Sequence, residues 1–326
     1  MTAWRRLLVG LALAVALAAV GRADPLPLSA AALPLNPENL EQSAVGALVY
    51  RGGLHLRSSD PRFGGLSGLS VSPDGRRLVA VSDRGYWVTA TLVYDEVGLL
   101  ADAVAGEIGD LADPDGAPVA DTPLNDAEEL VRDGPDWLVT FERHHRIWRY
   151  PATPGGFAMR PQRVPDPPGL ARAPPNGGLE ALARLPDGRL FGLVEGRDGE
   201  GGRTPGWVGT PGRWLPLEYV RTGIFRPTGA AALPDGDVVV LERRFTLLGG
   251  PGARLARVPA AALRHGAAVE GTALAVLAPP LVVDNMEGIA ARRGANGETI
   301  LYLVSDDNYN VLQRTILLMF ALAPQR

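Results

Sequence analysis

Five apolar runs along the chain each end on an acid. They are Leu78 to Asp83, Trp137 to Glu142, Leu190 to Glu195, Val238 to Glu242 and Leu301 to Asp306, which sets the acids 59, 53, 47 and 64 residues apart. Each run follows a turn signal: Pro73-Asp74-Gly75, Asp133-Gly134, Pro186-Asp187-Gly188, Pro234-Asp235-Gly236 or Asn296-Gly297. Such turns join antiparallel strands. The runs are apolar on both faces, which suits strands sandwiched between neighbours rather than strands with a wet side. In the first unit, Ser67 to Val71 alternates, Arg77 to Ser82 returns, and Tyr86 to Tyr94 and Leu99 to Ile108 offer a third and a fourth strand. Helical periodicity is nearly absent.

A four-stranded antiparallel unit recurring at roughly 40–60 residues predicts an all-β β-propeller. First strands near 67, 128, 180, 229 and 287 give five blades, or six if the long spacers hide a degenerate unit. The last unit lacks room for a full blade. Ala47 to Tyr50 with Leu54 to Leu56 can supply its outer strand, closing the ring with strands from both termini and removing open sheet edges.

Residues 1–23 read as a secretory signal: Arg5-Arg6, the apolar stretch Leu7 to Val20, then small residues at Gly21-Arg22-Ala23. The stretch falls short of the ~20 apolar residues of a membrane span, and Arg5-Arg6 matches a twin-arginine signal only in part. Residues 24–43 form an extended lead-in, and 44–326 a single propeller domain. Removing the leader's three arginines takes the net charge from −4 to −7. No basic stripe is present, which argues against nucleic acid, and no long apolar stretch remains after cleavage to hold a membrane. The chain has no Cys and no Lys, so disulfides and thiolate chemistry are excluded, and any anion contact falls to Arg, whose guanidinium suits oxyanions. Export to the periplasm or the exterior of a bacterium follows from the leader.

A second set of acids opens the first strands: Glu128, Glu180 and Glu287, with Ser67 and Gly229 at the same place in the other two units. Antiparallel pairing returns Glu142 beside Glu128, Glu195 beside Glu180 and Asp306 beside Glu287. If first strands line the axis, these acids meet at one mouth of the channel. Crowded carboxylates need a counter-charge. A hard cation such as Ca²⁺ takes six to eight oxygens; the ligand set expected here is Glu128, Glu180, Glu287, Glu195, Asp306 and Asn285. Arginine is the other counter-charge. The residues expected to be catalytic are Glu128, Glu180, Glu287, Glu142 and Arg143, and those expected to hold substrate are Arg84, Arg243, His144 and Asn308. An ion-pair network without turnover would use the same residues. Gly65-Leu66-Ser67-Gly68 lacks the spacing of a serine nucleophile elbow.

The segments Phe141 to Tyr150, Gly178 to Leu182, Asp284 to Ile289 and Ser305 to Asn310, with Leu312 to Thr315, resemble the phytase-like family (esterase-like activity of phytase) of exported bacterial proteins. The resemblance runs from about Gly64 to the end. It implies a propeller and an ester or phosphoester hydrolase acting on a small molecule; the axial site and the metal assistance expected there come from the carboxylate and arginine pattern above. A gluconolactonase-like sugar-lactone hydrolase and a non-catalytic binding propeller are the alternatives.

Overall fold

The computed structural model describes residues 23–153, 155–196 and 202–323. Within them the chain forms five antiparallel sheets arranged as a five-bladed propeller. The innermost strands are Leu66–Val71, Ala127–Asp133, Leu179–Arg184, Arg226–Ala232 and Asn285–Arg293, for blades I to V. Each contacts the inner strands of the two neighbouring blades, so the five close a ring around the axis.

The second strands are buried almost throughout, as their uniform apolar pattern predicts. The core follows from this. Five apolar clusters are present among the described residues, each filling the space between one pair of adjacent blades. Blade V is completed as expected: the C-terminal strand Ile316–Leu322 pairs with the N-terminal strand Leu48–Ser58. The region before it contributes three further strands, of which the short Ala44–Val45 folds back on Leu48–Ser58 itself. Asp24–Leu26 extends the outer edge of blade I, and Leu28–Ala32 extends blade V. Ala268–Glu270 departs from the four-stranded pattern by pairing parallel to Arg213–Val220 at the edge of blade III.

The inner strands approach so closely that small residues are required. A Cβ on Gly288 would lie 2.1 Å from the Ser67 carbonyl oxygen, and one on Gly229 would lie 2.7 Å from that of Glu287. Backbone cannot yield at such distances as a flexible side chain would. The proposed leader lies outside the described residues. Among those described, no helix is long and apolar enough to cross a membrane.

Candidate functional site

Every inner strand carries one extra residue at the same height. In blades III, IV and V the register with the second strand jumps at Glu180, Thr228 and Glu287. In blades I and II it jumps across Ser67-Gly68 and Glu128-Glu129. A β-bulge re-aims a side chain that regular pleating would bury between blades. Four of the five bulges present a side chain to the mouth of the hub, Ser67, Glu128, Glu180 and Glu287, while that of blade IV is buried. The bulged residue of blade IV is Thr228, not the Gly229 expected from sequence, because the extra residue precedes the tight-packing glycine. Its hydroxyl donates to the Met286 carbonyl.

The bulges form the floor of a pocket of about 1120 Å³. Nine carboxylates line it: Asp83, Asp126, Glu128, Glu142, Glu180, Glu195, Asp284, Glu287 and Asp306. Four arginines accompany them: Arg143, Arg243, Arg244 and Arg314. Arg243 lies among the acids, 3.0 Å from Glu287, 3.1 Å from Glu195 and 3.1 Å from the Asn285 amide oxygen. Arg226, its ladder partner, is 3.6 Å from Glu195. That half of the floor is compensated. The other half is not. Oxygens of Asp126, Glu128 and Glu142 lie within 4.8 Å of one another, and this group could hold a metal ion. Its nearest counter-charge is Arg143, whose Nε is 2.6 Å from Asp126 but whose side chain is largely exposed. Arg143 sits at φ 53°, a left-handed backbone unusual for a branch-free L residue and typical of strained functional positions.

Burial and mutual repulsion raise the pKa values of six of these acids, Asp83, Asp126, Glu128, Glu180, Glu287 and Asp306. Desolvation is the main cause throughout. It lifts Asp83 to about 7, with Asp306 and Asp126 adding repulsion. Asp126 rises to about 6 and Asp306 to about 6. Glu287 rises to about 8 despite Arg243. Glu128 and Glu180 rise well above the carboxylate range, each next repelled by a facing carboxylate, Glu142 for the former and Glu128 for the latter. A side-chain hydrogen bond with Glu142 raises Glu180 further, and Glu142 itself accepts from the backbone N–H groups of Gly177 and Gly178. Buried Asp83 Oδ1 and Glu287 Oε2 have no hydrogen-bond partner among the described residues.

A stability prediction follows directly. Each of these acids keeps its proton in the fold to a higher pH than in the unfolded chain, where it leaves near pH 4. Stability is then full below pH 4 with respect to these groups and falls as pH rises to about 8. In chelator, the melting temperature should drop between pH 5 and pH 8, and a divalent ion should restore most of it at pH 8. A flat profile in chelator would show that the acids do not repel.

Most of the residues singled out from sequence line this pocket: Glu128, Glu180, Glu287, Glu142, Arg143, Arg243, Asn308, Glu195, Asp306 and Asn285. The expected ligands divide, however. Glu195, Glu287 and Asn285 converge on Arg243, and Asp306 accepts the Asn308 backbone N–H. Arg84 and His144 are not among the lining residues. The Arg84 guanidinium stacks on Tyr309, 3.4 Å from the ring centroid, and His144 is exposed on the turn after Glu142. Glu242, fourth of the strand-terminal acids, does not join the group. It is wholly buried against Arg254 of its own blade and Tyr219 of blade III. Asp126 was overlooked because the repeat pointed to Glu128, two residues on; the signal was its acid-rich setting, Asn125-Asp126-Ala127-Glu128-Glu129.

A family model described as "Phytase-like: Esterase-like activity of phytase" matches residues 61–309. No curated protein matches. Among solved structures, the PQQ-bound aldose sugar dehydrogenase of Streptomyces coelicolor is 16% identical, covering 82% of this chain and 97% of its own, with a TM-score of 0.43. The endo-arabinase of Bacteroides thetaiotaomicron is 10% identical, covering 88% and 99%, with a TM-score of 0.46. Likeness this remote carries no argument about what the chain does.

Proposed function

The chain belongs to the phytase-like family, and from that premise we propose that it is an exported hydrolase of phosphate or carboxylic esters, with the reaction at the hub and Ca²⁺ as its resident ion. The observation that carries this reading is the uncompensated half of the floor. Two buried carboxylates and a half-buried one, all within 4.8 Å of one another, with one exposed arginine for balance, are an oxygen-rich setting for a hard cation. Such an ion, when bound, supplies a Lewis acid for the substrate's oxygen.

The chain's own groups supply the rest. Arg143 at the rim would orient the substrate's oxyanion, its guanidinium held in place by Asp126. Asp83, with a pKa of about 7 and an unpartnered buried oxygen, suits the base that takes a proton from water at neutral pH. Glu180, whose proton burial and the neighbouring carboxylates hold well above the usual carboxylate range and which faces the same pocket, suits the acid that gives a proton to the leaving oxygen. Two carboxyls with pKa values set apart by their surroundings are what such a division needs. Export is supported by the apolar N-terminal run after Arg5-Arg6 and by the absence of Lys-rich or basic-aromatic stretches that would suit nucleic acid.

The test is turnover of p-nitrophenyl phosphate, p-nitrophenyl acetate and a panel of sugar lactones, with Ca²⁺ and with chelator. Ester hydrolysis that disappears in chelator and returns with Ca²⁺ is expected. Turnover of lactones alone would move the assignment to a lactonase, and no turnover of any substrate would reject hydrolysis.

A further inference from the structure

The pocket lining is not polar throughout. Besides the carboxylates and arginines it holds an apolar set, the wall, from the connection between blades IV and V, Pro279 to Val283, together with Pro37, Phe245, Pro251 and Leu312. Phe245 and Leu312 are 68% and 87% exposed, which is costly for large apolar groups with nothing to cover them. Their placement explains why they stay uncovered. The hairpin Val238–Thr246 to Gly250–Val258 does not stop at Glu242. It runs four ladder pairs further, to Thr246 opposite Gly250, or about 13 Å beyond that level. It therefore carries Phe245 past the acids and into the mouth. The loop after Asp306 brings Leu312 to the same mouth from blade V. Around the pocket, nine carboxylates face four arginines, three of which (Arg143, Arg243 and Arg314) are already engaged by acids. A ligand carrying many phosphates meets excess negative charge there and an apolar wall above.

We infer that the site takes amphiphilic monoesters, with the ester group at the hub and an alkyl or aryl chain lying along the Phe245–Leu312 wall. The polar end of this assignment rests on the hydrolase reading; the apolar end rests on the wall alone. An apolar group laid on that wall removes two exposed side chains and its own surface from water together. Each methylene buried is worth up to about a fourfold gain in binding.

Binding of n-alkylphosphonates from methyl to octyl, followed by calorimetry with Ca²⁺ present and below micelle-forming concentrations, tests the wall without turnover. Affinity should rise about two- to fourfold per methylene over the first few carbons. In parallel, kcat/KM for p-nitrophenyl alkanoates of the same lengths should rise with chain length through KM. Phe245→Ser and Leu312→Ser should flatten both slopes. Leu247 and Leu248, exposed at the hairpin tip and outside the pocket lining, serve as controls, so the Leu247→Ser/Leu248→Ser double variant should keep the slopes. Affinity independent of chain length in the wild type overturns the inference, as does a slope lost in the tip variant and kept in Phe245→Ser. A binding slope with no turnover of any ester would sink the hydrolase reading and leave the wall standing. Turnover without a slope would do the reverse.

Discussion

Glu180→Gln should lose two to four orders of magnitude in ester turnover and yet melt at a higher temperature at pH 7. The two halves have one cause. Glu180 is buried, and burial together with Glu128 and Glu195 holds its proton well above the usual carboxylate range. The unfolded chain gives up that proton near pH 4, so folding at pH 7 must take it back. Each unit of separation between the two pKa values costs about 1.4 kcal/mol up to the working pH. Glutamine has the same shape and no proton to recover, which should make the variant more stable than the wild type at pH 7 and nearly equal to it at pH 4. It also cannot deliver a proton to a leaving oxygen, and a positioned acid contributes about 10²–10⁴ in rate. Opposite movement of activity and stability is the signature of a strained functional group. Turnover within a few-fold of the wild type would remove Glu180 from the chemistry. A variant less stable at pH 7 than the wild type would show the glutamate to be a structural partner instead.

The sequence carried the ring and lost part of the hub. Blade number, the inner strands and the closure by Leu48–Ser58 were legible because each depends on a local signal, a turn dipeptide followed by a uniformly apolar run, repeated five times. Gathering of Glu128, Glu180 and Glu287 was legible because antiparallel pairing fixes which end of a hairpin faces the mouth. The bulges were not. A bulge is a difference of one residue between two strands, and a sequence shows only one strand at a time. Thr228 was therefore read as Gly229, one place late. Glu242 ends an equivalent strand, yet only the neighbouring strands reveal Arg254 of its own blade and Tyr219 of blade III, which hold it between the blades. Arg243, by contrast, follows it directly and points to the mouth, as strand alternation requires.

Glu129 is the residue on which the hub itself should depend most. It occupies the second bulge position of blade II, where the other blades hold Gly68, Ala181, Gly229 and Gly288. Those residues are small because the strands meet there, and a Cβ on Gly68 would already touch the Leu130 nitrogen at 2.4 Å. A single side chain can fill the space left on the axis, and Glu129 is 1% exposed within it. One carboxylate oxygen accepts the Leu130 N–H at 2.9 Å and the other the Ala230 N–H at 3.4 Å. The N–H groups of Leu69 and Leu182 are directed at the same carboxylate. These four donors come from blades I to IV, and each follows a bulge that disturbs its own ladder. Removing the acceptor would strand buried donors at about 1–3 kcal/mol each. Glu129→Ala should then lose on the order of 4 kcal/mol or more, a large part of the stability of an ordinary domain. Glu129→Gln keeps the shape but turns an amide NH₂ toward N–H donors, and should lose about half as much. Formate is small enough to replace the missing carboxylate, so it should raise the melting temperature of Glu129→Ala in a concentration-dependent way and leave the wild type unmoved. Chloride at equal ionic strength is the control. Urea unfolding that finds Glu129→Ala and Glu129→Gln both as stable as the wild type would mean that the inner strands hold their bulges without this acid, and that the aim of Glu128 beside it is set by the blades alone.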